Sequence, residues 1–68
     1  MKRFSVSVGK RRREFVGGID AFLAEDIAEF LRTNEVQFVW DETQQAILEL
    51  GKKETLEIRD DASVSRLV

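Results

Sequence analysis

The sequence predicts a small α+β domain in which a single amphipathic helix lies across an antiparallel sheet. Three observations carry the prediction. The chain has 68 residues, which is room for one domain and one core. Residues 19–33 repeat their apolar side chains at helical spacing, and the stretches on either side alternate apolar with polar at period two. The expected order is β-β-α-β-β-β. A basic hairpin spans 3–16, the helix 19–33 and a three-strand meander 36–59, with a tail over 60–68 that is assigned no structure.

Each element follows from its own pattern. Phe4, Val6 and Val8 alternate with Arg3, Ser5 and Ser7, which makes a half-buried strand. Gly9 opens a basic turn, and Glu14-Phe15-Val16 reads as a short return strand ended by Gly17-Gly18. A four-residue loop at Gly9–Arg12 would set Val6 opposite Phe15 on the core side. Asp20 is the expected N-cap of the helix, and Asn34 can take a left-handed position that stops it. The apolar arc holds Leu23, Ala24, Ile27, Phe30 and Leu31, and Ala21 and Ala28 widen it to about 200°. That is wider than one sheet face needs, so a second surface is expected to cover the helix, either the basic hairpin or another copy of the chain.

From Val36 onward the pattern reads as period two. Three-residue turns at Glu42–Gln44 and Gly51–Lys53 would bring Val36, Phe38 and Trp40 onto one face with Leu50, Leu48 and Ala46, and then with Leu56 and Ile58. Phe38 and Trp40 are expected in the core on that face. In the tail, Val64, Leu67 and Val68 have helical spacing, whereas Ala62, Val64 and Val68 suit a strand.

Composition narrows the function classes. A chain this short has a thin stability margin, which small domains supplement with disulfides, a metal or self-association. The chain has no Cys and no His, so disulfides and the usual zinc ligands are absent and self-association is the supplement left. Tyr is absent too. No Ser or Thr has a recognisable base near it in sequence, and the core is too small to enclose a substrate pocket. No enzyme activity, cofactor, metal or small-molecule substrate is therefore expected. No apolar stretch follows the basic N-terminus as a signal peptide would require, and none approaches a membrane span, so the expected compartment is the cytoplasm. The net charge is only −2, but it is unevenly spread. Lys2, Arg3, Lys10, Arg11, Arg12 and Arg13 occupy residues 1–13 without an acid, while residues 14–68 carry all thirteen acids and five bases.

Five features compete for a functional reading. Arg3 and the Lys10-Arg11-Arg12-Arg13 turn are candidate nucleic-acid contacts, with Ser5 and Ser7 extending the surface. The plain alternative is a solvated turn, or a basic arm that meets the acidic part of a neighbouring copy. The net acidic balance and the lack of exposed aromatics beside the arginines count against nucleic acid, and the sequence shows no pattern for the two helices that a ribbon-helix protein places after its strand. Val39 opposite Ile47 would form a β-branched pair on the outer face of the meander, either a protein interface or ordinary sheet stabilisation. Phe22 lies off the apolar arc, and packing back against the hairpin near Phe15 is preferred over projecting as a contact. Glu25 and Glu29, with Asp26, form an acidic stripe that a basic partner can meet; none of the acids has calcium-loop spacing. Gly17-Gly18 lacks the further glycines of a phosphate-binding loop, and a tight turn explains it. The expectation is a non-enzymatic binding module that acts through protein–protein contact and self-associates. A nucleic-acid-binding regulatory protein that uses the basic hairpin is the alternative.

Overall fold

Two hairpins, one from each end of the chain, meet side by side in a single sheet. The computed structural model describes all 68 residues. The first hairpin is β1 (Lys2–Val8) and β2 (Arg11–Gly17); helices α1 (Asp20–Thr33) and α2 (Trp40–Leu48) follow; β3 (Thr55–Arg59) and β4 (Ala62–Arg66) form the second hairpin. The strands lie in the order β2-β1-β4-β3, and every pairing is antiparallel. The order is thus β-β-α-α-β-β, with two helices and four strands, which overturns the expected single helix and three-strand meander.

The central pairs explain why the two hairpins join. Val6 faces Val64, Val8 faces Ala62, and Leu56 faces Val64 from the far side. Phe4, Val6, Val8, Phe15, Ala62 and Val64 are buried, and with Leu23, Ile27, Leu31 and Ile47 they form one core under the helices. Such apolar cross-strand pairs fix register, because a one-residue slip would turn every buried side chain outward. The tail expected to be unassigned therefore supplies β4, an interior strand of the sheet.

The first hairpin turns more tightly than its sequence suggested. The turn is Gly9-Lys10, with Val8 paired to Arg11 and Phe4 to Phe15. Gly9 has φ +58, as the first central residue of a type II′ turn requires. The register moves by two residues from the expected Val6–Phe15 pairing, so the apolar face is kept.

Helix α1 has its N-cap one residue before the expected Asp20. Ile19 is the N-cap and no side chain caps the end; Asp20 instead meets Lys2 Nζ at 3.0 Å. At the other end Glu35, not Asn34, takes the left-handed position, with φ 62. Val36 N donates to Leu31 O and Glu35 N to Arg32 O, each at 3.0 Å, the two bonds of a Schellman closure. Buried Val36 and Leu31 supply the hydrophobic contact that accompanies it. Asn34 reinforces the closure through its side chain, donating from Nδ2 to Phe30 O at 2.8 Å.

The expected meander fails between Val36 and Leu50. Val36–Val39 pairs with no strand, and Trp40–Leu48 is helical. Trp40, Thr43, Gln44 and Ile47 fall at i, i+3, i+4 and i+7, and all four are buried or half-buried. Asp41 and Glu42 lie in the first turn, where negative charge complements the helix dipole. Helix α1 packs on both β2 and α2, and α2 packs on β3. The wide arc of α1 is thus covered twice, by the basic hairpin through β2 and by α2, which stands where the meander was expected. Phe38 and Trp40, expected in the core, are half-buried, and Phe38 packs against the margin of the core. They meet edge to face at 6.0 Å, and the Arg32 guanidinium lies over both rings, at 5.5 and 5.4 Å.

Candidate interaction surface

Strand alternation divides the basic run. Arg11 and Arg13 pair with Val8 and Val6 and so share the helix side of β2, whereas Arg12 pairs with Ser7 on the open side. Each guanidinium is positioned by a neutral group. Arg11 Nη1 donates to Asn34 Oδ1 at 3.1 Å, Arg12 Nε donates to Ser5 Oγ at 2.7 Å, and Arg13 lies 5.1 Å over the Phe15 ring. The ion pairs of the molecule are Lys2–Asp20, Arg3–Glu14 and Arg59–Asp61. Arg11, Arg12, Arg13 and Lys10 thus have no carboxylate partner, while Arg3, expected in the same basic surface, faces Glu14 at 4.0 Å.

The open face of the sheet is polar. Arg3, Ser5, Ser7, Arg12 and Glu14 share it with Ser63, Ser65, Thr55 and Glu57, and Thr55 Oγ1 lies 2.8 Å from Ser65 Oγ. No aromatic ring belongs to this face.

Five of the six exposed large apolar residues, all but Val39, gather at one end. Val16 is 53 % exposed, Ile19 57 % and Phe22 66 %. Val16 lines a shallow cleft with Gly17, Gly18, Ile19, Phe22 and Leu23, and a second with Met1 and Val68, so the patch is continuous. Gly17 permits this corner: a Cβ there would lie 3.1 Å from Leu23 Cγ, so its absence lets the chain turn tightly against α1. Phe22 does not pack near Phe15 as expected. Phe30 fills that place, meeting Phe15 edge to face at 5.8 Å.

The remaining predicted site residues separate. Val39 is 63 % exposed at the start of α2, and Ile47 is fully buried in the core; the Val39–Ile47 patch does not exist, because α2 turns the two residues to different sides. Val39 instead borders a groove of about 290 Å³ between α2 and β3, with Phe38, Ala46, Leu56 and Ile58, and Glu42 and Glu57 at its rim. Glu25 and Glu29 are exposed on α1. Glu29 and Asp26 line a cleft of about 250 Å³ with Arg13, Phe15, Phe30 and Thr33. No group of three carboxylates is placed to hold a metal ion, and no helix is long and apolar enough to cross a membrane.

Val16 and Ile19 are the residues of this surface that the sequence reading missed. The signal was available for Val16: with Phe15 inward, alternation turns it outward. No protein-family model, curated protein or solved structure matches the chain.

Proposed function

We propose that this chain is a non-enzymatic protein-binding module whose contact surface is the corner formed by Val16, Ile19 and Phe22, flanked by β2. The observation that carries this reading is the clustering of exposed large apolar residues at that one end. Scattered apolar residues on a surface need no explanation, but a contiguous patch rimmed by charge marks a contact site. Lys2, Asp20 and Asp26 supply such a rim. Covering the exposed two thirds of Phe22 is worth about 1–2 kcal/mol, a large share of a small interface.

A second copy of the chain is a further reading of the same corner, favoured by the thin core: 15 of 68 residues are buried, and self-association would add apolar burial. Nucleic acid is the weaker alternative. The arginines without carboxylates favour it, but they are split between two faces and no ring on the open face could stack a base.

The experiment compares affinity capture by the wild type, Phe22→Asp and Val39→Asp, with and without nuclease, alongside sedimentation of each protein. Proteins retained by the wild type and Val39→Asp, lost by Phe22→Asp and indifferent to nuclease support the reading. The second-copy version adds a concentration-dependent dimer that Phe22→Asp abolishes. Capture unchanged by Phe22→Asp, or lost on nuclease treatment, overturns it.

A further inference from the structure

The edges of the sheet differ in a way that bears on the partner. In the order β2-β1-β4-β3 the two outer strands are β2 and β3. Strand β3 is five residues long, and its pairing with β4 is interrupted between Glu57 and Arg59, an irregularity that blunts an edge. Strand β2 is seven residues long and pairs with β1 without a break. Its outer side is the regular, templating edge of the molecule.

The turn geometry says which groups that edge offers. Across a two-residue hairpin the pair flanking the turn exchanges both hydrogen bonds, and alternate pairs follow suit. Arg11, Arg13 and Phe15 therefore direct their backbone groups to β1. Arg12, Glu14 and Val16 direct theirs outward, and no turn, loop or cap takes up a backbone group of these three. The β4 side agrees: Arg3 bonds Leu67 and Val68, which leaves the even residues of β1 to bond β2.

We propose that the free edge of β2 takes up an extended acidic peptide as an added fifth strand. Its carboxylates would lie opposite Arg11, Arg12 and Arg13, and its apolar residues beside Val16, Ile19 and Phe22. The inference rests on the corner as a protein contact and names the chemistry of what binds there. Strand addition takes its affinity from main-chain bonds and its specificity from alternate side chains. Here the alternate side chains are arginines held by Asn34, Ser5 and Phe15 rather than by carboxylates, and a guanidinium pairs most strongly with a carboxylate.

The test uses a fluorescent peptide with valine and isoleucine in its N-terminal half and consecutive glutamates in its C-terminal half, the antiparallel match to β2. Anisotropy should show saturable binding that weakens with salt. It should fall at least about tenfold in the Arg11→Gln/Arg12→Gln/Arg13→Gln protein, given the strength of charge-assisted pairs. On the unaltered protein, peptides with lysine for glutamate, or with proline at alternate positions, should not bind. Bound peptide should slow amide exchange at Arg12, Glu14 and Val16. No saturable binding at millimolar peptide overturns the proposal, as does binding that tolerates the prolines or the triple change, or displacement of the peptide by a single-stranded oligonucleotide of lower dissociation constant. If Phe22→Asp abolishes protein capture while the triple change leaves it intact, the corner stands as the contact surface and the acidic strand does not.

Discussion

Ile47 and Val39 show what the second helix does to single residues. Ile47 is fully buried beneath α1 and the sheet, and Val39 stands at the helix start in solvent. Truncating a buried isoleucine removes transfer energy and leaves a cavity, so Ile47→Ala should cost about 2–4 kcal/mol in urea unfolding. Val39→Asp puts a capping carboxylate at the uncapped start of α2 and should be neutral or stabilise by up to about 1 kcal/mol. A meander with both residues on its outer face would make the two changes alike. Arg66 is a second informative residue: its Nη1 donates to Leu50 O at 2.9 Å and its Nε to Val68 O at 3.2 Å, tying the end of α2 to β4. Arg66→Ala should cost about 1.5–3 kcal/mol, the range for hydrogen bonds to charged groups, measured the same way. Residue-level reading of the sequence was right for Phe4, Val6 and Val8, whose alternation is that of β1, and wrong for Val36, Phe38 and Trp40, which alternate equally well but form no strand. It misplaced Phe22, because the wheel shows that a side chain lies off the apolar arc but not which aromatic fills the space beside Phe15. Phe30, one turn from the helix end, takes that space.

The elements divide by length and by local chemistry. Helix α1 has fourteen residues, long enough for the helical period to stand apart from chance alternation. Helix α2 has nine, and over so short a span Ala46, Leu48 and Leu50 alternate as well as Trp40, Thr43, Gln44 and Ile47 repeat. What decides between them is propensity. Glu42, Gln44, Gln45, Ala46 and Leu48 all favour helix, and the acids Asp41 and Glu42 at the first turn add to it. Gln44 gives the sharpest element-scale prediction. In a meander it would sit in a turn and tolerate proline, whereas inside α2 proline removes a helical bond and clashes with the preceding turn. Gln44→Pro should therefore cost about 3 kcal/mol or more and erase the helical carbon chemical shifts of residues 41–48. The hairpin β1–β2 was legible as a hairpin. Its arginines were not legible as strand, because a basic run beside Gly9 resembles a solvated turn until the Val8–Arg11 pairing is known.

For the molecule as a whole, the decisive event is the return of the C-terminal segment to the N-terminal strand. Strand β4 joins β1 to β3 and buries Ala62 and Val64, so a chain ending at Asp60 should lose cooperative thermal unfolding by circular dichroism. The pairing was hidden in the sequence because it links residues about sixty positions apart, and long-range pairing leaves no local periodicity. The same closure makes β2 an outer strand and brings the basic segment to one edge, next to the apolar corner at Gly17-Gly18. That juxtaposition of an open edge, arginines without carboxylates and exposed Val16, Ile19 and Phe22 is the basis for reading the molecule as a protein-binding module. The most direct test is an amide-exchange map of the chain, alone and saturated with a protein that the wild type captures and Phe22→Asp does not. The account predicts slowed exchange along β2 at Arg12, Glu14 and Val16 and through Gly17–Leu23, with α2 unchanged. Protection confined to Trp40–Leu48 and β3, where the groove beside Val39 lies, would contradict it.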